Sequence, residues 1–554
     1  MKIYFSNWYG FEEYIGIHLL PETLGYPDKR ENKQSGLAIN FQIYYVKSKN
    51  IAKKIGDIMV LTPISQDTKN YFELNGRNIE RNKIYDVTKL FRADKLVSMP
   101  RNIEYYKAIS SVFEEQQALT LLKLLCDVSY FKENINVYKN WNGFTSRFYR
   151  DNSSSKSILK NGTKIATGSY EIEGAISIPL DNLGATFEPL IFTFDKSEEI
   201  PQDINLVIGK NGLGKTHILK EICDVVTGIK SSRTKPLFNK LIVVSYSPFE
   251  SFYTNRELSE LLSAKYGVGD GVNMKDNPLS IDDYTYIGFR NSDGQFDRSR
   301  PISFSAKSII NAINYDRDVA WWAEGGAGKI KTIFSTLSLS MNFDTIRFKT
   351  IRGKNIDVTM DGEKIEFDDE NEEINYQAGV TFINKGDEVK LSSGQQIYSF
   401  MIPSIVSEIQ DETLVIIDEP ELYLHPALEV GLIEMLKSIL IQTKSYAIIA
   451  THSALIAREV QSKCVNVLKE ATYGTMIDKP NIETYGESLE EIIGEIFDDY
   501  SLKKPYQREI DNLMDEQLSL SENLNNFSIK MGDEGLVYLA SKISDIQKSK
   551  NRGS

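Results

Sequence analysis

Continuous apolar runs mark the second half of the chain. Ile204–Ile208, Leu241–Tyr246, Leu414–Asp418 and Tyr446–His452 are each short and nearly free of polar residues. Runs of this kind are typical of strands that are buried on both faces of a parallel sheet. The segment His217–Cys223, directly after the first run, has the pattern of a helix. This succession predicts an α/β fold in this region of the chain.

Different patterns precede this α/β region. Alternating runs over Tyr170–Pro179 and Phe187–Phe194 predict antiparallel strands. Further upstream, Leu37–Val46 is strand-like, Ile109–Leu125 is helical, and the serine-rich Asn152–Ser157 predicts an exposed loop. Residues 250–385 are expected to form an irregular insertion. Aromatic residues mixed with Lys and Arg in the N-terminal region could stack on nucleobases, but a role in the core is the better interpretation.

The chain contains a G-x-x-x-x-G-K-[ST] motif between the first predicted strand and the helix. In such a loop, backbone N–H groups surround a triphosphate and the helix N-terminus adds partial positive charge. Lys215 would hold the β- and γ-phosphates, and Thr216 would ligate Mg²⁺. The sequence therefore predicts a site for ATP and Mg²⁺. Its predicted residues are Gly209, Lys210, Asn211, Gly212, Leu213, Gly214, Lys215, Thr216 and His217.

Two carboxylates and a histidine follow the later predicted strands. Asp418 at a strand end would complete the Mg²⁺ shell, and Glu419 beside it would polarise the attacking water. His452 follows the next strand and could sense the γ-phosphate. Alone, His452 would be an ordinary buried histidine; its position after a strand and downstream of Asp418 and Glu419 favours a catalytic role.

Two other stretches invite a functional interpretation that we do not favour. Glu324–Lys329 lacks the first glycine and the hydroxyl of a phosphate loop, so it predicts a flexible turn. The acidic run Asp368–Glu373 could recruit a basic partner, but a solvated loop is favoured.

The hexamer LSSGQQ at Leu391–Gln396, the stretch Asp418–Pro426 and Ala450–Ser453 together resemble the ABC-type ATPases, specifically their soluble OLD/RecF-like branch. The resemblance covers roughly residues 185–245 and 385–475. It implies that Asp418 and Thr216 are the Mg²⁺ residues, Glu419 the base and His452 the switch. One departure is that no glutamine follows the second strand near Ser247.

The same resemblance implies that the hexamer of one chain contacts the ATP bound to a facing subunit. Ser392, Ser393, Gly394 and Gln395 would complete the ATP site of a second copy, which implies a homodimer or a larger assembly built from dimers. Because one chain carries a single phosphate loop and a single hexamer, two chains would form two equivalent sites.

Within this branch the chain is most similar to ATPase subunits of bacterial anti-phage systems, the Septu ATPase PtuA and its retron-associated versions. This implies an ATPase without a nuclease site that regulates a separate HNH-type nuclease, with nucleic acid or a reverse transcriptase–ncRNA complex as a further partner. The alternative is a RecF/SMC-like DNA-maintenance ATPase that clamps DNA on ATP binding. The net charge of −13 and the long N-terminal region favour the first interpretation.

The predicted fold class is thus α/β, an ABC-type P-loop ATPase head with a mixed sheet, plus an N-terminal α+β lobe and a helical C-terminal extension. The predicted domains are an accessory lobe (1–165), a first ATPase segment (166–248), an insertion (249–385), a second ATPase segment (386–480) and a C-terminal docking element (481–554). No stretch is long and apolar enough for a membrane span. Three cysteines without paired spacing and the absence of a secretory signal predict a cytoplasmic location.

Overall fold

The computed structural model describes residues 1–21, 38–63, 68–81, 83–141, 143–149, 152–171, 175–180, 183, 187–230, 237–266, 281–319, 328–360, 373–471, 474–497, 504–513 and 530–552. The chain divides into two compact units, Met1–Gly486 and Glu487–Ser554. The finer division into lobe, insertion and ATPase segments stays a prediction. Residues 324–327 and 368–372, for which a turn and a solvated loop are predicted, lie outside the described residues.

A seven-stranded sheet forms the N-terminal region, in the order β5-β6-β1-β2-β3-β4-β7. Its strands are β1 (Ile3–Ser6), β2 (Gly16–Pro21), β3 (Ala38–Ser48), β4 (Ile51–Leu61), β5 (Arg77–Glu80), β6 (Ile84–Asp86) and β7 (Val97–Pro100). The helices of this region are α1 (Thr68–Asn75), α2 (Glu104–Val112), α3 (Glu115–Leu124), α4 (Ile135–Tyr138) and α5 (Ser153–Ala166). On β3, Phe41 and Ile43 are buried and Gln42 between them is partly exposed, the alternation expected of a sheet with one face on the core.

The segment Ile109–Leu125 is helical as predicted, but the structure divides it between two helices. Phe113 and Glu114 have extended backbone angles and separate α2 from α3. The break lets each helix pack against α5. Phe113 is buried at the junction, so burial of this side chain overrides the continuous helical pattern.

The predicted loop Asn152–Ser157 is also wrong, because these residues begin α5. The Asn152 side chain accepts a hydrogen bond of 2.8 Å from the backbone N–H of Ser155 and caps the helix. Ser153, Ser155 and Ser157 are buried. Asn and Ser favour helix N-caps as strongly as loops, and small hydroxyl side chains can be buried when their hydrogen bonds are made.

Aromatic residues of this region belong to its core, as the favoured interpretation predicts. Tyr105, Tyr106, Tyr138 and Phe148 are at most 1% exposed. Side chains buried to this degree are unable to stack on a nucleobase, so base stacking by these residues is excluded.

The second half is built on a seven-stranded sheet in the order β12-β11-β17-β18-β10-β19-β20, parallel except for β20. Strands of this half are β8 (Ala175–Leu180), β9 (Leu190–Asp195), β10 (Ile204–Gly209), β11 (Lys240–Ser245), β12 (Tyr284–Gly288), β13 (Thr345–Lys349), β14 (Asn355–Thr359), β15 (Val380–Asn384), β16 (Asp387–Glu388), β17 (Thr413–Asp418), β18 (Tyr446–Thr451), β19 (Val465–Ala471) and β20 (Gly474–Asp478). Its helices are α6 (Lys215–Val226), α7 (Asn255–Tyr266), α8 (Ser299–Asn314), α9 (Lys329–Ser338), α10 (Ser393–Glu408), α11 (Pro426–Gln442) and α12 (Ala454–Ala457). The predicted buried strands and the α/β class are confirmed.

The described parts of residues 250–385 are regular, contrary to the predicted irregular structure, whereas their status as an insertion stays a prediction. They contain α7, α8 and α9, and β13–β15 form most of a four-stranded antiparallel sheet. The strand β12 extends the main sheet, since Leu241 of β11 pairs with Tyr284. The sequence of β12 is short and rich in tyrosine, and its strand character depends on this pairing with a neighbour far away in sequence.

The C-terminal unit is helical in its described residues, as predicted. Its helices are α13 (Leu489–Ile496), α14 (Pro505–Leu513) and a last helix, Asp533–Arg552. Ile510 of α14 packs with Leu539 and Ile543 of the last helix. Across the described residues of both units, every helix is too short or too polar to cross a bilayer.

Candidate functional site

The phosphate loop connects β10 to α6 at the carboxyl edge of the main sheet. Gly212 and Gly214 have φ angles of 84° and 93°, values that residues with a side chain rarely adopt. Lys210, Asn211 and Gly212 are exposed, so the loop backbone faces solvent. The loop therefore has the shape and exposure that phosphate binding requires.

Lys215 is the first residue of α6 and is only 5% exposed. Its Nζ donates to the Gly209 carbonyl oxygen at 3.2 Å and to His452 Nε2, and it lies 3.5 Å from Glu419 Oε1. An ammonium group only donates, so Nε2 of His452 is the acceptor. Burial lowers the pKa of Lys215, and the neighbouring Glu419 carboxylate partly opposes this shift.

Thr216 and Asp418 meet beside Lys215, although they are far apart in sequence. The Thr216 hydroxyl donates to Asp418 Oδ2 at 2.9 Å. The other oxygen, Oδ1, is buried and has no hydrogen-bond partner among the described residues. Burial raises the pKa of Asp418 to about 7. A hydroxyl beside a carboxylate oxygen without a partner fits Mg²⁺, a hard cation that prefers oxygen ligands.

Glu419 and His452 lie at the ends of the neighbouring strands β17 and β18. The Glu419 N–H donates to the Ala450 carbonyl oxygen at 2.9 Å, with Glu419 in the left-handed region at φ 48°. This places Glu419 Oε1 3.5 Å from His452 Nε2. Burial and then the charge of Lys215 lower the pKa of His452, so the imidazole is neutral near pH 7.

Three further residues contact this site that the sequence did not assign to it. The Glu421 carboxylate accepts a hydrogen bond from the backbone N–H of His452. Glu429 accepts one from the Ser453 hydroxyl. The Phe187 ring packs so closely over Gly214 that a Cβ there would lie 2.5 Å from it, and its centroid lies 5.4 Å from that of His217. Glu421 lies within the Asp418–Pro426 stretch on which the resemblance rests. The sequence does not show that it bonds to His452, because this contact forms only when β17 and β18 pair.

The hexamer residues form the start of α10, whereas the phosphate loop precedes α6. Ser392 caps α10, with its hydroxyl accepting from the Gln395 N–H at 3.3 Å and Gln395 Oε1 accepting from the Ser392 N–H at 3.0 Å. Ser392 and Ser393 are exposed, whereas Gly394 is buried, with a would-be Cβ 2.7 Å from the Tyr423 carbonyl oxygen. Among the described residues, the side-chain hydrogen bonds of Lys215 and Thr216 go to residues outside α10.

The segment after β11, where the resemblance to ABC-type ATPases predicts a glutamine, is connected to β12 by a glutamate. Glu250 accepts hydrogen bonds from the Tyr286 hydroxyl at 2.7 Å and from the Phe252 N–H at 2.6 Å. Phe249 just before it is 93% exposed. The segment is thus a hydrogen-bonded turn with an exposed aromatic ring.

Residues 333–458 match a family model described as "AAA domain, putative AbiEii toxin, Type IV TA system". The matched segment contains α10, Asp418, Glu419 and His452, and the phosphate loop lies before it. This match and the geometry support an ABC-type P-loop ATPase. The motifs of the site follow one another along this chain in the order phosphate loop, hexamer, Asp-Glu pair and histidine.

The chain is also similar, at low sequence identity, to one curated protein and to several solved structures. Protein ea59 of Escherichia phage lambda is 26% identical over 366 residues, which are 63% of this chain and 64% of that protein. The chain thus covers less than two thirds of this relative's length. Among solved structures, the SMC head domain from Thermotoga maritima (11% identity, TM-score 0.26, 56% of this chain and 100% of that one) and an ABC transporter's ATP-binding cassette in its ADP conformation (11%, 0.26, 57% and 93%) are similar. TM-scores this low carry no argument by themselves.

Proposed function

We propose that this ATPase binds and hydrolyses ATP with Mg²⁺, at a site that a second copy of the chain completes. The observation that carries the proposal is the convergence of Lys215, Asp418, Glu419 and His452, which come from the ends of the neighbouring parallel strands β17 and β18 and from the phosphate loop after β10.

Each side chain has a role that its position supports. Lys215 would hold the β- and γ-phosphates, and the loop N–H groups would surround them. Thr216 and Asp418 would hold Mg²⁺, which neutralises phosphate charge when bound. Phe187, which packs against Gly214, would stack on the base. Once phosphates pair with the Lys215 ammonium, the Glu419 carboxylate would accept the proton of the attacking water, and His452 would contact the γ-phosphate.

Hexamer residues Ser392 and Ser393 are exposed at the start of α10, where N–H groups and the helix dipole favour an anion. The nearby Gly394 and Gln395 fix this helix start through packing and the capping bond. We assign this surface to the γ-phosphate of the facing subunit, so that ATP binding closes a homodimer.

The finer proposal is that the dimer regulates a separate HNH-type nuclease in anti-phage defence, as in Septu and retron-associated systems, with nucleic acid or a reverse transcriptase–ncRNA complex as a further partner. It is supported by the motif likeness and by the matched family's description as a toxin of a Type IV TA system. If the purified protein alone traps DNA when it binds ATP, the DNA-maintenance alternative is favoured.

The test compares Glu419→Gln with Lys215→Ala. Glu419→Gln should bind ATP like the wild type and hydrolyse it about 10²- to 10⁴-fold more slowly, because the base is lost and the phosphate loop is intact. Lys215→Ala should lose nucleotide binding. Binding is measured with a fluorescent ATP analogue and turnover by phosphate release. Wild-type turnover by Glu419→Gln would show that Glu419 is not the base.

A further inference from the structure

Four large apolar side chains are exposed together at the carboxyl edge of the main sheet. The carboxyl-edge patch consists of Phe249, Phe296, Leu422 and Tyr423, whose exposures are 93%, 49%, 48% and 41%. Single exposed apolar residues are common on protein surfaces, but a contiguous group marks an interaction site.

The half-buried Phe289 joins two members of the patch, Phe296 and Tyr423. The ring centroid of Phe289 lies 5.0 Å from that of Phe296 and 6.4 Å from that of Tyr423. Pro248, next to Phe249, lines the same cleft as Phe296. These residues follow β11, β12 and β17, which are adjacent strands, so their carboxyl ends meet at one edge.

The exposed rings are held by a rigid frame. On one side of Phe249, the Glu250 carboxylate bonds to Tyr286 and to the Phe252 N–H. Arg290 fixes the turn before Phe296 by donating to the Gly294 carbonyl oxygen at 2.9 Å and to Glu257 at 2.6 Å. A ring that is fixed in an exposed position loses little side-chain entropy when a partner covers it.

The patch is also continuous with the hexamer surface. Gly394 packs directly on the Tyr423 carbonyl oxygen, so Ser392 and Ser393 border the patch. A chain that covers these serines must therefore also approach Tyr423. The next ring along the surface, Phe289, continues the contact to Phe296, and Pro248, the neighbour of Phe249, lines the same cleft as Phe296.

We infer that a second copy of this chain covers the carboxyl-edge patch, with Phe249 as its main anchor. The inference rests on the proposed ATP-bound homodimer and extends its interface beyond the nucleotide. A twofold axis would place the same patch on both chains in the interface, so each change at Phe249 acts twice. A phenylalanine of this exposure offers on the order of 150–250 Å² of apolar surface for burial.

The experiment measures self-association of the full chain in the Glu419→Gln background with ATP and Mg²⁺, by sedimentation velocity over a concentration series. Adding Phe249→Asp should weaken the dimer by at least about 30-fold in Kd, the effect of losing an interface anchor. Phe249→Trp should restore it. The matched control is Leu74→Asp, because Leu74 is 73% exposed on α1; this variant should dimerise like its parent.

Two measurements distinguish misfolding of a variant, failure of the inference and failure of the proposed function. Binding of a fluorescent ATP analogue to the monomer shows that each variant is folded, and Phe296→Asp provides a second probe of the patch. A parent that dimerises with ATP while both aspartate variants dimerise equally well overturns the inference and leaves the proposed function standing. A parent that remains monomeric with ATP overturns both.

Discussion

Glu421 shows how a single side chain fixes the histidine of the site. Its carboxylate accepts a hydrogen bond from the backbone N–H of His452, and burial raises its pKa. Only Oε1 of the desolvated carboxylate accepts this bond, and removing the carboxylate deprives the His452 N–H of its partner. Glu421 is therefore a positioning residue that acts through His452.

For this residue we expect Glu421→Ala to lower kcat for ATP hydrolysis by about 10- to 100-fold, because a displacement of His452 by about 1 Å misaligns the site. The KM should change much less, since the phosphate loop is untouched. Glu421→Gln keeps an acceptor oxygen and should be close to wild type. A Glu421→Ala enzyme with wild-type kcat would contradict the positioning role.

Helix α10 is held at both ends, which matters because its N-terminus carries the hexamer. Ser392 and Gln395 form the capping bonds at the start. At the other end, the Lys329 ammonium donates to the carbonyl oxygens of Ser407 and Ile409, the latter at 3.0 Å, and Glu408 pairs with Lys240. A cation at the last carbonyl groups is the favourable arrangement for a helix C-terminus.

Lys329 should make stability depend on pH in a defined direction. Burial lowers its pKa to about 8, below the value of about 10.4 in an unfolded chain. Between these values the unfolded state binds more protons, so stability due to Lys329 rises from pH 8 to pH 10. The thermal midpoint of wild type relative to Lys329→Met should therefore rise by roughly 2 °C or more over this range. Lys331→Met, at an exposed position of α9, should show no such change.

In the whole molecule, a single chain carries one phosphate loop, at the start of α6, and one hexamer, at the start of α10. Two chains that exchange hexamers would form two sites. The prediction is tested by mixing Lys215→Ala chains with Ser393→Arg chains, each inactive alone. In a mixed dimer one site inherits both defects and the other inherits neither, so some of the ATPase activity should return. A monomeric enzyme would remain inactive at every mixing ratio.

The sequence determined the features that depend on neighbouring residues. The phosphate loop needs left-handed backbone at Gly212 and Gly214, and glycine adopts it at little cost. The buried strands β10, β11, β17 and β18 are continuous apolar runs, which only a sheet covered on both faces accommodates. These signals are local, so the α/β class and the order of the motifs followed from them.

Only the tertiary structure decided the features in which the environment outweighs local preference. Asn152–Ser157 became a buried helix start, capped by the Asn152 side chain, and β12 became a strand because β11 offered an edge. The contact of Glu421 with His452 and the exposure of Phe249 likewise depend on which segments pack together. Burial and long-range hydrogen bonds are properties of the assembled chain, and local sequence preferences are too weak to specify them.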